Sequence, residues 1–284
     1  PESALQSINK ALQIISVSSN NPRTITLAPG RYSPSTTGDD FPLPLMDGLS
    51  IIGTKRVTEV NAEFTATVFQ SSGDQDVTLR NLKITNGGYI TSVQSNSSFG
   101  GGLYCQGSSI AIESCYFTQN RGRTGVFFGG STGVVSNSQF LNNEAYLGGG
   151  VMVNNGCAGF TGLPVFTNCL ISGNIAENGG ALNIQRSSPH FQNCTFAENY
   201  SPIGGALCLV SDEHSEVVPS FDNCIFWGNS VESIWHSGDP PVVEYSLVQE
   251  GFPGAGNIDG DPYFPQAGEY LYCLSQISAG QSVD

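Results

Sequence analysis

Charge is scarce in this chain: only 12 % of its 284 residues are Asp, Glu, Lys or Arg, about half the usual share of a soluble domain. Lysine supplies just three of the ten basic residues. The glutamate–lysine pairs that support exposed helices are therefore missing, which argues against a mainly helical protein. No apolar run approaches the ~20 residues of a spanning helix, and the mean hydropathy is −0.08. Lys and Arg are absent after Arg186, whereas residues 187–284 carry thirteen Asp and Glu. With a net charge of −14, the chain offers too few cations for a nucleic acid or an anionic membrane surface. The eight cysteines include no Cys-x-x-Cys pair and no Cys/His cluster at zinc spacing, which argues against a structural zinc site.

Turn formers are plentiful. The 35 Gly and 15 Pro stand among frequent Asn and Ser, and the apolar residues are rich in Ile, Val and Phe. That mixture points to an all-β chain with many tight turns, long enough for one large domain with a continuous core.

A repeat organises it. Asn193-Cys194-Thr195-Phe196-Ala197-Glu198-Asn199 recurs as Asn223-Cys224-Ile225-Phe226-Trp227-Gly228-Asn229. Variants begin at Ser114, Asn137 and Asn168, and a shorter one at Asn81. A second element reads Gly148-Gly149-Gly150-Val151, Gly179-Gly180-Ala181-Leu182 and Gly204-Gly205-Ala206-Leu207, and Gly101-Gly102-Leu103-Tyr104 is similar to it. Between equivalent positions from Cys115 onward the intervals are 23, 31, 25 and 30 residues. The apolar stretches are too short for helical turns and suit short strands. Three strands and three turns per repeat make one coil of a parallel β-helix, in which each coil stacks on the next. Phe, Ile, Cys and Ala then point inward in ladders, the recurring Asn serves turns by bonding the next coil and by tolerating a left-handed backbone, and Gly-Gly marks a corner with no room for a Cβ.

The spacing predicts about nine or ten coils over residues 23–236, the first strand being Thr24–Leu27. An N-terminal helical cap over residues 1–22 is expected from Leu5, Ile8, Leu12 and Ile15, and an irregular C-terminal cap over residues 237–284. Loops are expected at Ser35–Asp40, Ser92–Ser98, Ser211–Glu216 and around Asn154-Asn155-Gly156-Cys157. Cys169, Cys194 and Cys224 share one repeat position. Their stacking is compatible with disulfide geometry, but buried thiols packing as small apolar groups is the preferred reading. Cys105 and Cys208 are assigned to a second shared position.

The Gly-Gly-Ala and Phe-x-x-Asn elements resemble those of the polymorphic outer-membrane-protein repeats of bacterial surface proteins. Ala28-Pro29-Gly30-Arg31-Tyr32, the segment from Gly38 to Leu45 and the segment from Gly48 to Gly53 resemble the opening of right-handed parallel β-helix surface proteins of the pectin-lyase-like superfamily. Asn257-Ile258-Asp259-Gly260-Asp261-Pro262-Tyr263-Phe264 is similar to the segment that closes such helices. The resemblance implies a right-handed parallel β-helix and an extracellular or bacterial cell-surface location. It also leads one to expect sorting or anchoring segments beyond Asp284; no signal peptide is visible, the sequence opening at Pro1 in what reads as a helix.

Such folds host many activities, so chemistry has to be sought in the site. A galacturonan hydrolase would carry a set of Asn-Thr-Asp, Asp-Asp and Gly-His-Gly, and no such set is present. An alginate epimerase of this fold would show Asp-Pro-His, and the nearest string is Ser188-Pro189-His190. Arg186 and His190, with Glu177 and Glu198 in neighbouring coils, are the candidate charge neutraliser, base and acids of a catalytic site; solvated turn residues in weak ion pairs are the simpler reading. Arg121 and Arg123, expected on a turn near Glu144, are candidate ligand-binding residues. Trp227, Tyr200, Tyr146, Trp235 and Phe127-Phe128 are candidates for stacking on sugars. Asp259 and Asp261 have a spacing that suits calcium and equally suits an ordinary turn; no other cofactor is implied. Asp212-Glu213-His214 is a weaker metal candidate.

The function expected is a non-catalytic scaffold that binds a polysaccharide, a surface glycan or another surface protein. A polysaccharide lyase or glycoside hydrolase is the alternative. A third class is a fibre subunit assembling with its own copies, which end caps oppose for end-to-end stacking.

Overall fold

The computed structural model describes residues 5–88, 100–155, 162–211, 218–230 and 232–264. Strands of two to seven residues follow one another and pair only in parallel, each with its equivalent in the next coil. The first sheet has nine strands, from Arg23–Thr26 to Val242–Glu244, and the second has nine, from Gly30–Tyr32 to Leu247–Val248. The third has eight, from Leu43–Pro44 to Ile234–Ser237. A short fourth sheet joins Arg121–Gly122, Glu144–Leu147 and Ile175–Asn178. Along one coil the chain passes from the third sheet to the first, then the second, then the short sheet. This is a parallel β-helix of about eight turns, its two largest sheets nine strands each, at or just below the number the repeat predicts. Among the described residues no helix is long and apolar enough to cross a membrane.

Apolar side chains at alternate strand positions fill the interior. Phe166, Phe191 and Phe221 stack in the first sheet at centroid spacings of 4.6 and 4.8 Å, and Phe196 and Phe226 in the second at 4.7 Å. These spacings match the distance between strands, so every new coil covers the ring below it.

The two asparagines of the repeat divide their work. The first, at Asn81, Asn137, Asn168, Asn193 and Asn223, takes positive φ values of 50–58° at the corner between the first and second sheets, where asparagine tolerates the left-handed region. The second forms a ladder through Asn120, Asn143, Asn174, Asn199 and Asn229. Asn174 shows the pattern. Its Oδ1 accepts the backbone N–H (3.0 Å) and the Nδ2 (2.9 Å) of Asn143, and its own Nδ2 donates to Asn199 Oδ1 (2.9 Å) and to the Phe140 carbonyl (2.9 Å). Two donors and two acceptor sites are all used, which is the condition for burying an amide without penalty.

The Gly-Gly element is equally local in cause. Gly179 has φ 71°, and a Cβ there would lie 2.0 Å from the Leu182 carbonyl oxygen. At Gly180 a Cβ would lie 2.3 Å from the carbonyl oxygen of Gly205, in the next coil. The first glycine shapes the corner and the second lets the coils close.

The cysteines of the repeat are free and buried. Cys115, Cys169, Cys194 and Cys224 line one corner, and Ser138 and Ser246 take the same place in other coils. Ser138 Oγ donates to the Ser136 carbonyl at 2.8 Å, as Cys194 Sγ donates to that of Gln192 at 3.3 Å. Burial pushes the Cys115 thiol up to about 12 and Cys105 up to about 11. Cys105 and Cys208, however, do not share a position. Leu103, not Tyr104, is in register with Val126, and through it with Leu182 and Leu207. Cys105 thus points inward beside Phe128, while Cys208 stands one residue over, between Asn183 and Trp235. Cys157 and Cys273 lie outside the described residues.

The ends differ from expectation in detail. The cap helix α1 spans Ile8–Ile14, with Ser7 accepting from the Lys10 N–H at its start and Ile8 and Leu12 buried. Leu5 precedes that N-cap and is exposed, so it takes no part in the apolar stripe. The first strand is Arg23–Thr26, and the loop at Ser35–Asp40 holds a single turn, α2 (Pro34–Thr37). Regular coils continue past residue 236, through Val242–Glu244 and Leu247–Val248. Pro241 stands just ahead of the strand Val242–Glu244, a place proline also takes at Pro164, Pro189 and Pro219, where it costs the ladder nothing. Asn257 ends the corner ladder: its Oδ1 accepts the Ser246 N–H at 3.0 Å and its Nδ2 donates to the Val243 carbonyl at 2.8 Å.

Two outcomes are expected. Asn174→Ala removes four side-chain hydrogen bonds and strands buried partners, lowering unfolding free energy by about 3 kcal/mol in a urea titration. Second, stability falls with alkali. Below about pH 8.5 the thiols of Cys105 and Cys115 are protonated folded and unfolded alike; above it only the unfolded chain releases the proton, so stability drops towards pH 11–12 by up to about 1.4 kcal/mol per pH unit for each of the two. Cys115→Ser, with a side chain the fold already uses at that place, flattens this slope in melts recorded from pH 7 to 10.5.

Candidate functional site

The outer face of the short sheet gathers more of the candidate residues than any other. Its register pairs Arg121 with Glu144 and Gly122 with Ala145, then Glu144 with Ile175, Ala145 with Ala176 and Leu147 with Asn178. Isolated bridges carry the ladder on, from Ile175 to Tyr200 and from Asn178 to Ile203. Ala145, Ala176 and Ser201 are buried, so the residues on either side of them face out. One outer row reads Arg121, Glu144, Ile175, Tyr200. The other reads Arg123, Tyr146, Glu177, Pro202.

This face is apolar in its middle. Tyr200 is 55 % exposed, Ile175 50 % and Tyr146 39 %, with Ile203 beside them. Arg121 sits at the N-terminal edge, its Nε 3.2 Å from Glu144 Oε2 and its guanidinium 5.4 Å from the Phe64 ring centroid. The expected closeness of Arg121 to Glu144 is what the structure has. Glu177 carries no ion pair or hydrogen bond to its carboxylate among the described residues.

The four catalytic candidates are distributed over different parts of the coil. Glu177 lies in the short sheet. Arg186 is exposed at the corner leaving the third sheet, with φ 52°. His190 is in the first sheet, and Glu198 turns the corner after the second, with φ 54°. The strand Leu182–Gln185 separates Glu177 from Arg186, about 13 Å of extended chain. His190 meets other partners: its Nδ1 is 2.8 Å from Ser220 Oγ and 3.6 Å from Asp222 Oδ2. That pairing follows from stacking Ser-x-Asp on His in the next coil, and no motif in the chain flagged it.

Of the aromatic candidates, Trp227 points outward as Phe226 points in, and is half-buried. Phe127 and Phe128 are buried: Phe128 belongs to the interior, and Phe127 stacks on Tyr104 at 5.4 Å in a cluster with Leu147 and Met152. Their doubling in sequence reflects one residue packed on each side of the third sheet. The outer face of that sheet is uncharged among its described strands and carries a chain of amides, Asn154 to Gln185 (3.0 Å) and Gln185 to Asn183 (2.8 Å). Trp235 is half-buried at its C-terminal edge.

Asp259 Oδ1 accepts the Glu250 N–H at 3.2 Å and Asp261 Oδ1 accepts the Tyr263 N–H at 2.7 Å, both in exposed turns. Among the described residues no group of three or more His, Cys, Asp or Glu is placed to hold a metal ion. Asp212-Glu213-His214 lies outside the described residues. Near the N-terminal end a different cluster is built for support. Lys83 reaches Glu59 at 2.9 Å and Arg31 reaches Glu63 at 2.9 Å. Burial works against the charge of Glu59, but hydrogen bonds from Asn61 and Lys83 and the charges of Lys83 and Arg31 outweigh it and hold its carboxyl below the usual range.

The short-sheet face contributes little to stability. Tyr200→Ala and Arg121→Ala are each expected to cost no more than about 1 kcal/mol, read as an almost unchanged urea midpoint, because both side chains are largely solvated and the Arg121 pair is exposed.

No curated protein sequence matches the chain. Among solved structures, the pectin methylesterase PemA from Erwinia chrysanthemi superposes with a TM-score of 0.54 at 11 % identity, covering 98 % of this chain and 91 % of that one. A pectin methylesterase from Yersinia enterocolitica gives 0.49 at 13 % identity, covering 98 % and 99 %. At such identities the likeness is one of fold. The family described as "Right handed beta helix region" matches residues 47–246, well over half of the chain and almost all of its coils: the protein belongs to the right-handed β-helix family.

Proposed function

We propose that this protein is a non-catalytic scaffold of the cell surface or extracellular space that binds a glycan along the flank formed by its short sheet. The observation that carries this reading is the pair of exposed tyrosines, Tyr146 and Tyr200, standing with Ile175 on a face held in register by ladder pairing and bridges. Tyr146 and Tyr200 lie two rungs apart, about 10 Å along the axis, a span that a few sugar rings cover. Sugar rings present apolar C–H faces and hydroxyl rims, so rigid aromatic platforms bordered by Arg121, Arg123 and Glu177 suit them. Apolar side chains exposed together in this way mark interaction sites.

The enzymatic alternative, a polysaccharide lyase or glycoside hydrolase, draws support from the pectin-methylesterase-like fold alone. On the described faces, Arg186, His190, Glu177 and Glu198 occupy separate sheets and corners, which favours binding over turnover.

The two readings part in one experiment. The full chain is titrated with a panel of neutral, acidic and amino-sugar oligosaccharides, while reducing ends, unsaturated products and released methanol are followed. Saturable binding without product is expected, with Tyr200→Ala and Tyr146→Ala each weakening it about tenfold, or about 1.4 kcal/mol. Product formation abolished by His190→Ala would overturn the binding reading.

A further inference from the structure

We propose that the glycan held on the short-sheet face is a polycation, an amino-sugar polymer with free ammonium groups; this rests on the glycan-binding reading above and narrows it. Ladder register sets the central groups. With Ala145 opposite Ala176 and Leu147 opposite Asn178, Tyr146 stands beside Glu177, and the bridges at Tyr200 and Ile203 place Pro202 on the other side of Glu177. An exposed carboxylate without a partner among the described residues therefore sits within an exposed apolar surface, one rung from Tyr146 and one from the row that ends in Tyr200. A carboxylate beside aromatic faces is the arrangement that receives an ammonium group, through Coulomb attraction and the negative face of the ring together.

The cations of the chain point the same way. Four of its ten basic residues are held in ion pairs: Arg31 by Glu59 and Glu63, Lys83 by Glu59, Arg80 by Glu113, and Arg121 by Glu144. From the rung of Glu177 onward the sequence has one further basic residue, Arg186, against thirteen acidic ones after it. The potential along the C-terminal coils is thus negative; it repels uronate chains and attracts ammonium-bearing ones, with a strength that falls as salt rises. Arg121 and Arg123 lie at the opposite, N-terminal edge of the face, where they limit the cationic ligand to the rungs from Tyr146 to Tyr200.

The test uses three hexasaccharides against the full chain by calorimetry: a β-1,4-linked glucosamine hexamer at a pH where its amines are protonated, the same hexamer fully N-acetylated, and a galacturonate hexamer. The free-amine hexamer is expected to bind at least tenfold more tightly than its acetylated twin and to weaken with added salt. Glu177→Gln should erase most of that preference. Equal binding of the two hexamers, or a preference for galacturonate, overturns the polycation assignment and leaves the glycan-binding reading standing. If none of the three binds, and the neutral panel also fails, both fall. A preference that survives Glu177→Gln overturns the placement of the site.

Discussion

The asparagine ladder is the interaction on which the rest of this fold leans. At Asn143, Asn174 and Asn199 the side-chain amide spends both of its protons and both of its lone pairs on neighbouring coils. A buried amide so completely engaged has no alternative geometry of equal energy, so it fixes the register of each coil against the next. Once the register is set, phenylalanine meets phenylalanine, small corner residues meet small corner residues, and Gly180 meets the Gly205 backbone. The apolar core supplies most of the driving force, but apolar contacts are tolerant of small slips, and the amides are not.

That division explains what could be read from the residues beforehand. Ladder positions are legible because stacking demands the same chemistry at the same place in every coil. Asn-Cys-x-Phe-x-x-Asn and Gly-Gly-Ala therefore disclose the coil, its corners and its inward face. The offset of Cys105 from Cys208 was hidden because the two Gly-Gly motifs look alike while a register shift near Thr124 and Val126 displaces one of them. The described cap helix α1 begins at Ile8 because Ser7 caps it, its Oγ accepting the Lys10 N–H.

The outer face is legible in a different degree. A solenoid's surface residues are free of the stacking rule, so repeats say nothing about them, and proximity depends on register between coils 23 to 31 residues apart. Arg121 and Glu144 were within reach of sequence reasoning because both follow a ladder asparagine. Ile175, which stands between Glu144 and Tyr200 in an outer row, was not, since an isoleucine in a strand is expected to be buried. The same holds for His190 with Ser220 and Asp222.

The thiol ladder has a consequence for the history of each molecule. Cys115, Cys169, Cys194 and Cys224 are sealed from solvent by the coils that bring them together, and serine fills the same niche at Ser138 and Ser246. Closure of the coils acts as a protecting group. A disulfide between two of these residues would be the fingerprint of an encounter in the unfolded chain, so their oxidation state reports when a molecule folded relative to when it met an oxidant, long after both events are over.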